Sequence, residues 1–331
     1  MKKLLFLLMF PALSFGQTPI SKLHEYVKEF PRGRYTYKNI ADKLVVNAKD
    51  DLDKAKLIYL WIAENIDYDV KAFNSGNFPD GSPEKTLKRK KAVCDGYARL
   101  YNAMASHLGL QVEMVNGFSK NSEKAKVSRE SDHSWNSIKI GDENILLDVT
   151  WGAGATMNNK FISKTNYYYF NTDPNEFIFQ HLPDSIKYQN IDAPVSKEEF
   201  KKMPYINKEI FINKLISGNE VLRKFRTGIK TSFPSFYSSD IEYNIIKAPI
   251  EMKSRETYDF VIDSKNAFGI EVFNKKNKSI KKLEMSKKGI YYFTINPEKK
   301  DIFKIGLIDS IDKSKSSTST SYTYIFSYEI K

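Results

Sequence analysis

The pattern of apolar and polar positions predicts two helices in the first half of the chain. In each, apolar residues recur at spacings of three and four, as on one face of a helix. The first set comprises Ala55, Ile58, Tyr59, Ile62 and Ile66. The second set comprises Tyr97, Tyr101, Met104, Ala105 and Leu108. We predict two amphipathic helices, the second beginning close to Cys94 and ending at Gly109, with a loop of turn-forming residues at 74–83 between them.

The next segments are predicted to be strands. Residues 112–118 form one strand, and residues 133–140 and 143–150 form the arms of a hairpin. Gly141 and Asp142 fit a tight turn with glycine first. One face of this hairpin carries His133, Trp135, Asp148 and Thr150. The opposite face, predicted to pack on the core, carries Ile138, Ile140, Ile145, Leu147 and Val149.

The second half of the chain has a different pattern. An aromatic run at 167–170 is typical of packing surface rather than of a ligand cage. Beyond about residue 200, short alternating segments such as 257–262 and 289–295 are separated by polar turns, which favours an all-β sandwich. With 331 residues the chain exceeds one typical core, so we predict two domains, at 17–195 and 196–331.

The first sixteen residues have the composition of a secretory signal peptide. Lys2 and Lys3 precede an apolar run at 4–13, and small residues stand before Gln17. The run is too short to span a bilayer as a mature helix, and the sequence contains no later apolar run of spanning length. The sequence also has no cysteine near the cleavage point to anchor a lipoprotein. We therefore expect an exported protein that is periplasmic, cell-surface or secreted.

Charge and motifs exclude several classes of function. The formal net charge is +12, but the lysines are dispersed, and the densest run, residues 88–91, is typical of a solvated face. We therefore expect no nucleic-acid partner. The sequence shows no closely spaced set of metal ligands and no glycine-rich phosphate loop, so we expect neither a metal nor a cofactor.

The chain has a single cysteine, Cys94, which cannot form an internal disulfide. Three short motifs suggest a reason for it: Val93-Cys94-Asp95-Gly96-Tyr97-Ala98, His133-Ser134-Trp135-Asn136 and Asp148-Val149-Thr150-Trp151. A thiol nucleophile needs its thiolate stabilised, as at a helix N-terminus, and a base that is itself oriented by another group. In the predicted hairpin His133 and Asp148 are diagonal neighbours, about 7 Å apart between backbones, within reach of an imidazole–carboxylate hydrogen bond.

These motifs resemble the transglutaminase-like superfamily, in particular its bacterial and kyphoscoliosis-peptidase-type branch. The segment Asn65-Ile66-Asp67-Tyr68-Asp69 and the later Tyr169-Phe170, Asp173-Pro174 and His181-Leu182-Pro183 are also similar, so that the resemblance covers about residues 50–185. It implies an α+β, papain-like domain, followed here by the β-sandwich, which we expect to be Ig-like. It also implies Cys94 as nucleophile, His133 as base and acid, and Asp148 as the residue that orients His133.

The motifs give weaker support to the other candidate site residues. The Cys94 backbone N–H is the expected oxyanion donor, and Tyr68 is a second candidate through the resemblance alone. Trp135 and Trp151 are either walls of the cleft or core residues. We interpret His107 and His181 as structural, and His24 carries no motif.

The resulting hypothesis is an exported thiol enzyme that acts on amide bonds of peptides or proteins, cell-wall peptides among them, through a thioester. The patterns favour neither hydrolysis nor acyl transfer, and they indicate no oligomeric state. The alternative is a catalytically inactive transglutaminase-like protein that serves as a binding module of the cell envelope or secretome.

Overall fold

The structure of the chain is a computed structural model that describes residues 18–330 apart from residues 32, 34, 238, 240, 285–288 and 314–317. The predicted signal peptide, residues 1–16, lies outside the described residues. The chain forms two compact units. Unit 1 comprises the residues up to Asn116 together with His133–Thr172, and unit 2 comprises Gly117–Asp132 together with the residues from Asp173 onward. The predicted domain limits at 17–195 and 196–331 stay a prediction.

Unit 1 mixes helices and short strands. Its α-helices are α1 (Ile20–Lys28), α2 (Tyr37–Leu44), α3 (Asp51–Asn65), α4 (Val70–Ser75), α5 (Pro83–Arg89), α6 (Cys94–His107) and α7 (Val149–Ala153). Its strands are β1 (Asp67–Tyr68), β2 (Lys91–Ala92), β3 (Gln111–Ser119, shared with unit 2), β4 (His133–Ile140), β5 (Glu143–Leu147), β6 (Gly154–Met157) and β7 (Lys160–Ser163). Short 3₁₀ turns occur at Val45–Asn47 and Tyr167–Tyr169.

Both helices predicted from periodicity are present. The Asp50 side chain caps α3 by accepting a hydrogen bond from the Asp53 backbone N–H at 2.8 Å. The expectation that α3 is amphipathic is wrong: apolar residues outside the predicted stripe, Leu57 and Leu60 among them, are also fully buried, so α3 is a central helix surrounded by core. Helix α6 begins at Cys94, and Gly109 follows its end with φ of 79°, a left-handed conformation that favours glycine.

The hairpin has the predicted turn but a shorter second arm. Strands β4 and β5 are antiparallel, with Ile140 opposite Glu143 and Asn136 opposite Leu147. The ladder ends there, so the expectation that the second strand continues through Asp148 to residue 150 is wrong. The predicted strand at 112–118 is confirmed as β3, and in unit 1 the sheet has the order β5-β4-β3. The predicted alternation of a core face and an open face fails in β4, where residues 133–138 are all buried.

Unit 2 begins with short helices and continues as antiparallel sheets. Its helices are α8 (Pro174–Phe177), α9 (Lys197–Lys202), α10 (Glu209–Ile212) and α11 (Gly218–Arg226), with a 3₁₀ turn at Ile186–Tyr188. Its strands are β8 (His181–Pro183), β9 (Ser235–Phe236), β10 (Asn244–Lys247), β11 (Tyr258–Asp263), β12 (Gly269–Phe273), β13 (Ser279–Glu284), β14 (Ile290–Ile295), β15 (Ile302–Lys313) and β16 (Thr318–Glu329). Strand β8 pairs antiparallel with Gly117–Ser119, the last residues of β3.

The remaining strands form the predicted sandwich. One sheet has the order β10-β11-β14 and the other the order β13-β12-β15-β16-β9. Residues from both sheets share one buried cluster, with Phe260 and Phe293 from the first sheet and Ile305 and Phe326 from the second. The predicted fold class, an α+β domain with a C-terminal sandwich, is therefore confirmed. In the described part of the chain, no helix combines the length and the apolar composition that crossing a membrane requires.

Candidate active site

Cys94 stands at the first position of α6, as predicted. Strand β2, which ends two residues before Cys94, is fixed by its parallel pairing with β1, in which Ala92 lies opposite Tyr68. The Ala92 carbonyl accepts a hydrogen bond from the Asp69 backbone N–H at 2.9 Å. Among the described residues, no side chain caps the start of α6, so its first N–H groups can face a negative charge at Cys94. Cys94 as a residue is half-buried, between the interior and the surface.

His133 is the first residue of β4, and β4 is attached to the cysteine helix by a side-chain contact. The Asn136 side chain is fully buried, and its Nδ2 donates to the Ala98 carbonyl of α6 at 3.1 Å. On the other side, the Ser134 hydroxyl donates to Asn116 Oδ1 on β3 at 2.8 Å. The start of β4 is therefore held between α6 and β3, and His133 with it.

Asp148 is the N-cap of α7 rather than a strand residue. Its Oδ1 accepts a hydrogen bond from the Trp151 backbone N–H at 3.0 Å, which fixes the rotation of the carboxylate. Asp148 is fully buried. A buried carboxylate requires hydrogen bonds or a charge partner, because the loss of hydration is costly. Its second oxygen, Oδ2, has such a partner in His133.

His133 joins Asp148 to Cys94. Its Nε2 lies 2.7 Å from Asp148 Oδ2, and the imidazole also hydrogen-bonds to the Cys94 side chain. Burial alone would lower the pKa of His133, but the charge and hydrogen bond of Asp148, with smaller contributions from Cys94, raise it to about 10. The imidazole therefore remains protonated at neutral pH, as a thiolate–imidazolium pair requires.

Two tryptophans flank the histidine ring. The indole of Trp135 lies 5.9 Å from the imidazole centroid and that of Trp151 lies 5.5 Å from it, both tilted. Trp135 is 1% exposed and belongs to the interior, whereas Trp151 is half-buried and packs edge-on against Tyr169 at 5.5 Å. Both rings restrict the imidazole, and Trp151 is the one that also reaches solvent.

Tyr68 lies beside the same cluster. Burial raises the pKa of its hydroxyl, and the charges of Cys94 and Asp148 raise it further, which places Tyr68 within electrostatic range of both. Its ring packs against Phe73 at 5.8 Å and against Phe161 at 6.5 Å. A hydroxyl that stays protonated near the thiol can donate a hydrogen bond to a developing oxyanion.

Gly96 lies in a tightly packed part of unit 1. A Cβ at this position would lie 2.7 Å from the Ala92 Cβ and 3.1 Å from Thr86 Oγ1. Gly81 also lies against Gly96, since a Cβ added to Gly81 would meet the Gly96 Cα at 3.4 Å. Gly96 therefore allows the chain before α6 to pack closely.

The other three histidines each have a partner within their own unit. His107 pairs with Asp42 at 2.8 Å on the surface of unit 1. His181 is buried in unit 2 and stacks on Phe177 with centroids 4.0 Å apart. His24, which carried no sequence motif, is 5% exposed and contacts Glu64 and Tyr167.

Sequence reasoning missed the segment that supports Asp148. Residues 164–170, here called the bracket segment, bond to both ends of α7. The Asp148 N–H donates to the Tyr169 carbonyl at 2.9 Å at the start of α7. At the other end the Asn166 and Lys164 N–H groups donate to the Gly152 and Ala153 carbonyls at 2.8 and 3.0 Å. The aromatic run at 167–170 belongs to this segment, and this run, with the resemblance at Tyr169-Phe170, was the signal that the sequence offered.

Part of the chain is similar in sequence to a known family. A sequence model of the transglutaminase-like superfamily matches residues 38–151, a range that includes Cys94, His133 and Asp148. The chain contains a transglutaminase-like domain. Kyphoscoliosis peptidase of Mus musculus is 32% identical over 193 residues, covering 57% of this chain and 29% of that protein. The Homo sapiens protein of the same name gives the same identity and coverage.

A further relative of the transglutaminase-like domain is hillarin of Drosophila melanogaster, 26% identical over 196 residues, covering 53% of this chain and 23% of that protein. The chain therefore spans less than a third of the length of each of these relatives. Helix α1 and the bracket segment lie outside the residues that the superfamily model matches.

Proposed function

We propose that the chain is an exported, cysteine-dependent enzyme that acts on amide bonds of peptides or proteins. The observation that carries this proposal is the contact of one imidazole with two partners: His133 Nε2 lies 2.7 Å from Asp148 Oδ2, and the same ring hydrogen-bonds to Cys94. The names of the two kyphoscoliosis peptidases also support amide chemistry. Protein or peptide substrates, cell-wall peptides among them, fit this chemistry.

The reaction has two halves. In the first, the Cys94 thiolate attacks the amide carbonyl, a C–S bond forms, and the C–N bond breaks as the His133 imidazolium gives its proton to the leaving amine. In the second, His133 takes a proton from water or from a second amine as it attacks the thioester, and the thiolate leaves. Asp148 keeps the ring oriented and stabilises its positive charge throughout. The Cys94 N–H and the Tyr68 hydroxyl are the proposed oxyanion donors.

Intact mass spectrometry of the acid-quenched protein tests the thioester. After incubation with a glutamine-containing protein such as casein, we expect an acyl adduct on Cys94 that hydroxylamine removes. The adduct should be absent from Cys94→Ser and from His133→Ala. Free peptide acids as products indicate hydrolysis, whereas incorporation of an added fluorescent primary amine indicates transfer. No adduct and no Cys94-dependent product with protein or peptide substrates would contradict the proposal and favour the binding-module alternative.

Export rests on the leader-like residues 1–16. N-terminal sequencing of the protein purified from its native host tests it, and we expect the mature chain to begin at Gln17. A mature protein that retains Lys2 and Lys3 in the cytoplasmic fraction would contradict export without affecting the proposed chemistry.

A further inference from the structure

His24 is buried at the centre of a partly exposed hydrogen-bonding cluster in unit 1. Its Nδ1 is 2.6 Å from the Tyr167 hydroxyl, and its Nε2 is 2.6 Å from Glu64 Oε1. The same Glu64 oxygen accepts a hydrogen bond from the Thr165 hydroxyl. Burial would raise the pKa of Glu64, but the hydrogen bonds from Thr165 and His24 and the charge of His24 lower it overall, so this carboxyl is ionised at neutral pH. The cluster joins α1, α3 and the bracket segment.

The bracket segment connects this cluster to Asp148. Thr165 and Tyr167, which contact Glu64 and His24, alternate in sequence with residues that bond to α7. The Asn166 N–H donates to the Gly152 carbonyl at 2.8 Å, and the Tyr169 carbonyl accepts from the Asp148 N–H at 2.9 Å. A shift of the bracket segment would therefore move Asp148, the N-cap of α7, whose carboxylate contacts His133.

Packing leaves little freedom between α3 and α7. The Tyr59 hydroxyl of α3 donates to the Asn166 carbonyl at 2.6 Å, and Tyr59 is fully buried. A Cβ added to Gly152 of α7 would lie 1.9 Å from the Tyr59 hydroxyl oxygen. Because close-packed interiors transmit displacements rather than absorb them, the position of the bracket segment constrains the position of α7.

We propose that His24, together with Glu64 and Tyr167, forms a positioning cluster that fixes the bracket segment and thereby holds Asp148 against His133. His24 contacts no reacting atom, so it is a positioning residue and not a catalytic one. The proposal rests on the proposed function of Cys94, His133 and Asp148. It implies that α1, which precedes the matched residues 38–151, helps to position the active-site residues.

The test compares two histidines that each pair with a carboxylate in unit 1. His24→Phe removes both hydrogen bonds that His24 makes while keeping an aromatic ring in its place. His107→Phe is the matched control, because His107 pairs with Asp42 at 2.8 Å and belongs to neither the cluster nor the bracket segment. Tyr167→Phe removes a single hydroxyl from a partly exposed side chain and serves as the mild variant. The readout is the rate of Cys94 alkylation by iodoacetamide from pH 5 to 10, measured on variants whose circular dichroism shows them folded.

We expect alkylation at pH 6 to fall about tenfold in His24→Phe, because a displaced Asp148 no longer holds the imidazolium beside the thiol. The pH profile should move toward that of an ordinary thiol, with a smaller shift of the same sign in Tyr167→Phe. His107→Phe should match the unsubstituted protein. If the role of His24 is only to dock α1, its substitution will lower the unfolding temperature and leave the profile unchanged, which would overturn the proposal.

A different outcome identifies failure of the underlying function. If the unsubstituted protein already reacts no faster than a model thiol at pH 6, the proposed thiol chemistry is wrong, and the positioning role falls with it. If the unsubstituted protein reacts fast and the folded His24→Phe and Tyr167→Phe variants react equally fast, only the positioning role is wrong.

Discussion

His133 and Asp148 form a 2.7 Å hydrogen bond although they are not cross-strand partners. The β4–β5 ladder ends at the pair Asn136 and Leu147, one residue before Asp148. Asp148 then turns out of the sheet to cap α7, and its two oxygens take different partners, Oδ1 the Trp151 N–H and Oδ2 the imidazole. The carboxylate that orients the histidine is therefore itself oriented by a helix.

The two functions of this carboxylate can be separated by a matched pair of substitutions. Asp148→Asn keeps an oxygen that can cap α7 but loses the charge, so we expect Cys94 alkylation at pH 6 to fall about tenfold or more. Asp148→Ala should lose the same reactivity and in addition destabilise the domain by about 1 kcal/mol relative to the asparagine variant, because the cap is removed. Iodoacetamide kinetics and denaturant unfolding measure the two effects. Equal stability of the two variants would show that the cap contributes nothing.

The contribution of His133 to stability should fall in alkaline solution. Its pKa is about 10 in the folded state against 6.5 in an unfolded chain. The stabilisation by its charged form is thus fully present below pH 6.5 and is lost as the pH rises through 10. Buried Lys120 has the opposite effect, since burial lowers its pKa from 10.5 to about 8, and its contribution raises the free energy of unfolding over that range.

The contribution of Lys120 is the same in the unsubstituted protein and in Asp148→Asn, so it cancels when their free energies of unfolding are subtracted at each pH. We expect the free energy of unfolding to decrease more steeply from pH 7 to pH 10 in the unsubstituted protein than in Asp148→Asn, in which His133 has no carboxylate partner. Urea unfolding at a series of pH values gives both slopes. Parallel slopes would mean that the raised pKa of His133 is not realised in solution.

Gly152 should be intolerant of even one methyl group. A Cβ there would lie 1.9 Å from the Tyr59 hydroxyl oxygen and 2.5 Å from Tyr59 Cζ. We expect Gly152→Ala to destabilise unit 1 by about 1–3 kcal/mol through overpacking and to slow Cys94 alkylation, because α7 carries Asp148. Combining it with Tyr59→Ala, which removes the clashing ring, should give a total loss smaller than the sum of the two single losses. Strict additivity would contradict the contact.

Substitution of Tyr68 should affect the stabilisation of an oxyanion and leave the activation of the thiol unchanged. Alkylation by iodoacetamide forms no oxyanion, so Tyr68→Phe should react at the rate of the unsubstituted protein. Acyl transfer does form one, and we expect the rate of amide turnover to fall about 10²-fold if the hydroxyl donates to it. Phe73→Leu is the control, because it alters a ring that packs on Tyr68 and leaves the Tyr68 hydroxyl in place. An equal loss in both assays would mean that Tyr68 only shapes the site.

Local patterns predicted much of the fold. The periodicity around Cys94 gave α6 and its start close to Cys94, and Gly141-Asp142 gave the hairpin turn, because helix starts and tight turns depend on nearby residues. The alternation beyond residue 200 gave the sandwich for the same reason. The burial of α3 on every side was not predictable from one stripe, because it depends on elements that pack on it from distant parts of the chain.

In the candidate site, too, local motifs could be recognised in the sequence, whereas contacts between distant residues could not. Cys94, His133 and Asp148 could be proposed from the sequence because their motifs are short, whereas the way Asp148 reaches His133 was predicted wrongly as a cross-strand contact. An aspartate followed three residues later by a tryptophan N–H can cap a helix as readily as it can end a strand. His24 gave no signal, because its partners Glu64 and Tyr167 are 40 and 143 residues away and no local pattern joins them.

The most direct measurement is the rate at which iodoacetamide alkylates Cys94 at pH 6, in the unsubstituted protein and in His133→Ala. A thiolate held beside a protonated imidazole reacts at a pH at which an ordinary thiol is almost fully protonated. We predict a rate about tenfold or more above that of a model thiol in the unsubstituted protein and a rate equal to the model thiol in His133→Ala. Equal rates in the two proteins would contradict the pairing of Cys94 with His133.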